Sequence, residues 1–259
     1  MIDLHSHILP GLDDGARDLD EALAIARAAV ADGIGSIAAT PHVRDDYPTS
    51  ADEMERGVVE FRRALEAAEI ELEVFTGAEI ALDQLDLLGP DDLRRFGLGG
   101  NPSYLLVETP YTQWPPAFVD IVLRLVSAGF TPLIAHPERN PIVQQDPEPR
   151  VAALVEGGAL VQVTAGSVDG RLGSRSRACA DRLIDAGLVH VIASDAHSPG
   201  LRDVGLSHAC NAVGDDDLAR WLTSDVPAAI IGGEPLPPRP PVARTSGARR
   251  TLLSRLLGR

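Results

Sequence analysis

The sequence predicts an α/β fold built on a parallel sheet, open or closed. Seven short apolar runs alternate with longer Ala- and Leu-rich stretches of helical spacing. The runs are continuously apolar, the pattern of strands covered on both faces. A length of 259 residues and a hydrophobic fraction of 44% suit one large core, and with only 4% aromatics that core must be mostly Ala, Val, Leu and Ile.

Taken in order, the strand candidates are "IDLH" (2–5), "SIAAT" (36–40), "LEVFTG" (72–77), "YLLVE" (104–108), "PLIAH" (132–136), "ALVQVT" (159–164) and "HVIAS" (190–194). Helices are expected near 18–32, 51–69, 115–129, 148–157 and 174–187. The first of these, "DLDEALAIARAAVADG", carries acidic residues early, apolar residues at helical spacing and a terminal glycine. Residues 83–103 are less regular and read as a short helix with a loop. After Ile231 the composition shifts, and "GGEPLPPRPPVARTSGARR" reads as a linker unable to pack as core. We therefore expect a domain over 1–231 and a Pro/Arg-rich tail over 232–259. "RTLLSRLLGR" in that tail is either a frayed end or a short basic amphipathic helix suited to weak membrane-surface contact.

Composition excludes several classes. A net charge of −15 disfavours nucleic acid, whose binding depends on neutralising phosphates. No apolar run approaches the roughly 18 residues of a membrane span, and the acidic start lacks a signal-peptide pattern, so a cytoplasmic location is expected. Cys179 and Cys210 make no disulfide framework. A cysteine-dependent phosphatase loop needs an arginine six residues on, where Asp185 and Asp216 stand.

Chemistry collects at the strand ends. His5 and His7 close the first strand, His42 follows the second and Glu79 the third; Glu108 ends the fourth, His136 the fifth, and Asp195 and His197 follow the seventh. Parallel α/β barrels build active sites at that face because their loops converge there. Residues at i and i+2 on a strand point the same way, so His5 and His7 can grip one cation, as can Asp195 and His197 if strand geometry persists that far. Side chains that merely capped strands would leave several imidazoles and carboxylates buried with no compensating ion. Nitrogen and oxygen donors without thiolate suit a catalytic Mn, Fe or Zn site.

The order of "LHSH", "TPH", "GAE", an apolar strand ending in Glu, "IAHPER" and "SDAH" resembles the polymerase-and-histidinol-phosphatase (PHP) superfamily. "MIDLHSHILPGLDDGA", "IAATPH", "LIAHPER" and "IASDAH" most resemble its manganese-dependent protein-tyrosine phosphatases of the CpsB/CapC/YwqE type. The resemblance covers roughly residues 1–230. It implies a distorted (β/α)7 barrel and a three-metal Mn2+ site, with Fe or Zn as alternatives. In that site His5, His7 and Asp195 hold one metal and Glu79 bridges to a second. Glu108 and His136 complete the second, while His42, His197 and Asp14, in preference to Asp13, hold the third. It further implies that Arg139 and Arg202 bind the substrate phosphate, for which a bidentate guanidinium is well shaped.

The implied activity is hydrolysis of protein phosphotyrosine by a metal-bridged hydroxide, regulating capsule or exopolysaccharide synthesis by dephosphorylating a bacterial tyrosine kinase. Bound cations would outweigh the four carboxylates, so an acidic protein can present a cationic pocket. The chain departs from the family pattern at Val43, where a second His is common, and at Asn140, where an aromatic is common. The stretch "TPYTQWPPAF" offers Tyr111 and Trp114 as walls of a substrate entrance, or as simple loop packing. Rival readings are a PHP phosphatase for a small metabolite such as histidinol phosphate, and a non-catalytic metal-binding PHP module. An amidohydrolase usually places a lysine in its site, and this chain has none.

Overall fold

The computed structural model describes residues 1–198 and 204–241. Arg202 and the terminal "RTLLSRLLGR" lie outside the described residues. The described residues contain ten strands: β1 (Ile2–Ser6), β2 (Ser36–Ala39), β3 (His42–Arg44), β4 (Tyr47–Pro48), β5 (Glu73–Phe75), β6 (Glu79–Ala81), β7 (Tyr104–Glu108), β8 (Thr131–Ala135), β9 (Leu160–Thr164) and β10 (Val191–Ala193). Between and after them run α1 (Leu19–Ala31), α2 (Ala51–Ala67), α3 (Pro90–Arg95), α4 (Phe118–Ser127), α5 (Pro147–Glu156), α6 (Ala165–Val168), α7 (Ser174–Asp185), α8 (Leu206–Val213), α9 (Asp216–Arg220) and α10 (Val226–Gly232). No described helix is long and apolar enough to cross a membrane.

The helices form where their ends are chemically closed. Asp18 accepts from the Glu21 amide at the start of α1, and Ser50 and Glu53 make a reciprocal capping box at the start of α2. Each buries one stripe: Ala22, Ile25, Ala26 and Ala29 on α1, and Met54, Val58, Phe61 and Leu65 on α2. The strands β9 and β10 are buried throughout, as the continuous apolar runs predict.

The α/β class is observed, but the ladders do not form one closed seven-stranded sheet. They sort into a three-stranded sheet, β1-β2-β5, and a seven-stranded sheet, β10-β9-β8-β7-β6-β3-β4. All pairs are parallel except the β3–β4 hairpin. The expected second and third strands are β2 and β5, and each is followed after a short break by a further strand that was not expected, β3 and β6. Pro41, at the first break, has no N–H to donate to a ladder; its carbonyl instead accepts from the Glu79 amide at 3.1 Å. Gly77, at the second, lies where a Cβ would come within 3.2 Å of Thr40 and 3.3 Å of Leu98. The two sheets meet again where Ser6 bridges Ala196 and the His7 amide donates to the Ala196 carbonyl at 2.8 Å.

The Pro-rich stretch after Ile231 differs from the linker that its composition suggests. Leu236 packs on the core, Trp221 Nε1 donates to the Pro237 carbonyl at 3.0 Å, and the Arg239 guanidinium lies over the Trp221 ring at 5.3 Å. Arg239 also donates to the carbonyls of Val189 at 2.7 Å and Ile184 at 2.9 Å. A proline segment carries few amides that need partners, so two polar anchors and one apolar side chain suffice to dock it. Arg239→Ala should lower unfolding stability by about 1–3 kcal/mol, the usual range for losing charge-assisted bonds to buried carbonyls. Urea unfolding followed by tryptophan fluorescence measures this.

Candidate metal centre

Strand register aligns the donors before any side chain is considered. His42 of β3 pairs with Glu79 of β6, Ala81 of β6 with Glu108 of β7, and Ala135, just before His136, with Gln162 of β9. The β1 side is tied to the β10 side by Asp3. Its buried carboxylate accepts from the Ser194 amide at 2.9 Å and from the Ser194 hydroxyl. Burial pushes the Asp3 carboxyl up to about 6 against those hydrogen bonds. The tie brings Asp195 to the end of β1, where its amide donates to the His5 carbonyl at 2.9 Å.

His5, His7, Glu79 and Asp195 converge tightly. The two Nε2 atoms are 3.2 Å apart, and each lies 3.4 Å from Glu79 Oε2 and 3.4 Å from Asp195 Oδ1. Donors about 2.1 Å from a shared ion are separated by about 3.0 Å at right angles and about 3.4 Å in a tetrahedron. The measured edges are therefore those of a coordination sphere. A further group joins His42, Glu79 and Glu108, with His42 Nδ1 3.0 Å from Glu79 Oε2 and 3.9 Å from Glu108 Oε2. Another joins His7, Asp14, His42 and His197, where Asp14 Oδ1 stands 3.4 Å from His42 Nε2 and 3.3 Å from His197 Nε2. His136 sits with His5 and Asp195 and reaches Glu79 Oε1 at 2.8 Å. The structure thus brings all nine sequence-predicted donors together. It groups Glu108 with His42, and His136 with His5, where the resemblance pairs Glu108 with His136.

The residues fit cations rather than one another. Both ring nitrogens of His42 are buried with carboxylate oxygens 3.0 and 3.4 Å away but in no well-directed hydrogen bond. Glu79 and Asp195 are held well below the ordinary carboxylate range: burial alone would raise both, and the surrounding imidazoles, His5 foremost, overcome it. His136 and Asp195 are two of only three non-glycine residues with positive φ among the described residues, at 36° and 53°. Strain of this kind persists where the surroundings over-determine a functional geometry. For Asp195 it also means that strand geometry ends at Ala193. Asp195 and His197 reach the cluster through a left-handed turn, with His197 Nδ1 2.9 Å from the Asp195 carbonyl.

Residues beyond the nine donors orient them. Asp13 Oδ2 lies 2.6 Å from His7 Nδ1 and accepts from the His42 amide at 3.0 Å, so it turns the His7 Nε2 inward while Asp14 faces the cluster. The tight turn behind it requires glycine at 15, where a Cβ would fall 2.1 Å from the His7 carbonyl oxygen. Gln162 Oε1 stands 3.1 Å from His5 Nδ1 and accepts from the His136 amide at 3.3 Å. Buried Glu138 accepts from the Thr164 amide at 3.0 Å and the Ser167 hydroxyl at 2.7 Å, locking the "HPER" turn to β9. The sequence offers Asp13 as the alternative ligand to Asp14, whereas here it orients His7, and nothing in the sequence marks Gln162.

Arg139 reaches the cluster and donates to Asp195 Oδ2. Tyr111 is 50% exposed and lines an adjacent cavity, whereas Trp114 packs on Phe118 with ring centroids 4.9 Å apart. Asn140 pins the 109–118 loop by donating to the carbonyls of Pro110 and Gln113.

Cation binding should be proton-coupled. Burial would lower the His42 imidazole, but Asp14 and Glu79 raise it to about 9; burial likewise opposes His7, which Asp13 nevertheless holds well above the ordinary value. An imidazole must be neutral to ligate, so below these values each cation expels protons. Affinity for Mn2+ should rise between about pH 6 and 8 by about tenfold per pH unit for each proton displaced. Calorimetry in buffers of different ionisation enthalpy counts those protons, and a flat profile contradicts the reading. Asp13→Asn should weaken Mn2+ affinity about 10–100-fold while leaving circular dichroism intact.

Residues 1–231 match the family model described as capsular polysaccharide synthesis, CpsB/CapC. The chain is 37% identical over 205 residues to the tyrosine-protein phosphatase YwqE of Bacillus subtilis, covering 78% of this chain and 80% of that protein. It is 29% identical over 246 residues to the tyrosine-protein phosphatase CpsB of Streptococcus pneumoniae, covering 89% and 98%. A solved chain from the work on YwqE of B. subtilis and CpsB of S. pneumoniae, described as unique metal-dependent tyrosine phosphatases, superposes with a TM-score of 0.83 at 33% identity. That match covers 93% of this chain and 99% of the other.

Proposed function

The chain belongs to the CpsB/CapC family of capsular polysaccharide synthesis, and from that premise we propose that it is a metal-dependent phosphatase hydrolysing phosphotyrosine in proteins. The observation that carries this is the convergence of five imidazoles and four carboxylates, with edge lengths suited to cations, where the two sheets meet. His5, His7, Asp14, His42, Glu79, Glu108, His136, Asp195 and His197 hold the ions in this reading. Manganese is the resident cation in this reading, with Fe or Zn as alternatives; nitrogen and oxygen donors with no sulfur among them suit all three. Two sheets that meet at Ser6 and Ala196 are read as a distorted (β/α)7 barrel, with residues 1–231 as its catalytic domain.

Bound divalent cations supply Lewis-acid polarisation of the phosphoryl oxygens and lower the pKa of an attacking water. The protein supplies the rest. Asp13 and Gln162 fix the tautomer and direction of His7 and His5, so neither ring must reorganise during turnover. Arg139, beside Asp195, takes a phosphate oxygen and offsets charge that builds on the phosphoryl group; Arg202 is its partner in this reading. The cysteines supply no nucleophile: Cys179 is buried, which pushes its thiol up to about 12. The substrate is a tyrosine-phosphorylated protein, with a bacterial tyrosine kinase acting in the cytoplasm as the proposed physiological one.

A chelator should abolish turnover of a phosphotyrosyl peptide, and Mn2+ should restore it. Asp195→Ala and His136→Ala should each cost more than about a hundredfold in kcat/KM, since even residues that only orient ligands cost up to that much. Wild-type turnover by either folded variant, or preference for histidinol phosphate over the peptide, overturns the assignment.

A further inference from the structure

A cavity of about 500 Å3 opens directly beside the cluster and shares Glu108 with it. Its walls include Arg44, Ala81, Leu82, Pro110 and Tyr111. The lining is graded: Glu108 at the inner end is 5% exposed, while Tyr111 at the mouth is 50% exposed. A group bound at the cluster through its phosphate has this passage beside it for the rest of the molecule.

Arg44 is placed there by the β3–β4 hairpin, whose register sets it opposite Tyr47. Its Nε and Nη2 bind Asp46 at 2.6 and 3.0 Å, while Nη1 donates to Glu108 Oε1 at 3.1 Å and lies 3.4 Å from the Tyr111 hydroxyl. The guanidinium plane is thereby held at its edges. Its carbon lies 5.3 Å from the Tyr47 ring centroid and 5.9 Å from that of Tyr111, and Tyr47 in turn stacks on His42 at 5.9 Å. The result is a ladder of flat groups, His42, Tyr47, Arg44 and Tyr111, running from the candidate ligands to the cavity mouth.

We propose that this cavity is the aryl subsite and that Arg44 and Tyr111 determine specificity for aryl over alkyl phosphomonoesters. The inference rests on the phosphatase reading above and adds the means of discrimination. Planar guanidinium and phenol faces attract an aromatic ring through stacking and cation–π contact, and Leu82 and Pro110 supply apolar wall. A phosphoseryl side chain is shorter by a whole ring, so its backbone would have to enter the passage that a phosphotyrosyl ring fills.

The test uses the full-length, Mn2+-loaded protein with Arg44→Met, Arg44→Lys, Tyr111→Ala and Tyr111→Phe. Paired substrates are a phosphotyrosyl peptide and the phosphoseryl peptide of the same sequence. Paired binding probes are phenylphosphonate and methylphosphonate, measured by calorimetry, with metal content checked for each variant. Arg44→Met and Tyr111→Ala should reduce the phosphotyrosyl-to-phosphoseryl ratio of kcat/KM at least tenfold, mainly through KM. They should narrow the affinity gap between the phosphonates to match. Tyr111→Phe keeps the ring and should retain the ratio, and Arg44→Lys, lacking the plane, should not. Equal losses on both members of each pair, or unchanged ratios, overturn the subsite while leaving the phosphatase reading intact. Failure of the wild-type protein to turn over the phosphotyrosyl peptide overturns that reading and the subsite with it.

Discussion

Glu79 is the point on which the site turns. One carboxylate meets four imidazoles, with Oε2 facing His5, His7 and His42 and Oε1 facing His136. All of these groups are buried, and burying ionised groups costs several kcal/mol each unless charge and hydrogen bonds compensate. Imidazoles alone would repel one another once protonated, and carboxylates alone would not remain ionised. The arrangement is self-consistent with cations at the centre, or, when cations are absent, with protons on His5, His7 and His42, which the neighbouring carboxylates raise.

The fold meets this constraint through its interruptions as well as its strands. Pro41 and Gly77 stand in the two breaks at the level of the cluster, and the chain resumes one residue after Pro41 and two after Gly77 with a candidate ligand, His42 or Glu79, at the first position of the next strand. His136 and Asp195 accept left-handed backbone for the same purpose. Asp3 and Ser194, deep in the sheet, join the first strand to the last and leave the ends of both facing one centre.

Charge is distributed unevenly around that centre. Arg139 approaches from the Asp195 side, and Arg44 approaches from the Glu108 side. Each is pinned by a candidate ligand, so each contributes a fixed direction as well as a charge. The protein is strongly acidic overall, yet two of its described arginines are held against candidate ligands at the cluster.

The sequence alone determined the α/β class, seven of the strand positions and which side chains could serve as donors. These are legible because apolar periodicity and residue type are local properties, and because a parallel sheet carries its C-terminal ends to one face. It did not determine the partition of the strands into two sheets, which depends on where a missing amide and a missing Cβ meet their neighbours. Nor did it determine the division of labour between Asp13 and Asp14, adjacent residues of the same chemistry separated only by which way one turn faces. Gln162 and Arg44 carried no motif, the motif holding Glu138 did not say what its carboxylate would meet, and docking of the Pro-rich segment ran against its composition. Each of these depends on contacts between residues far apart in the chain or on the path of a single turn, and only the folded structure decides such contacts.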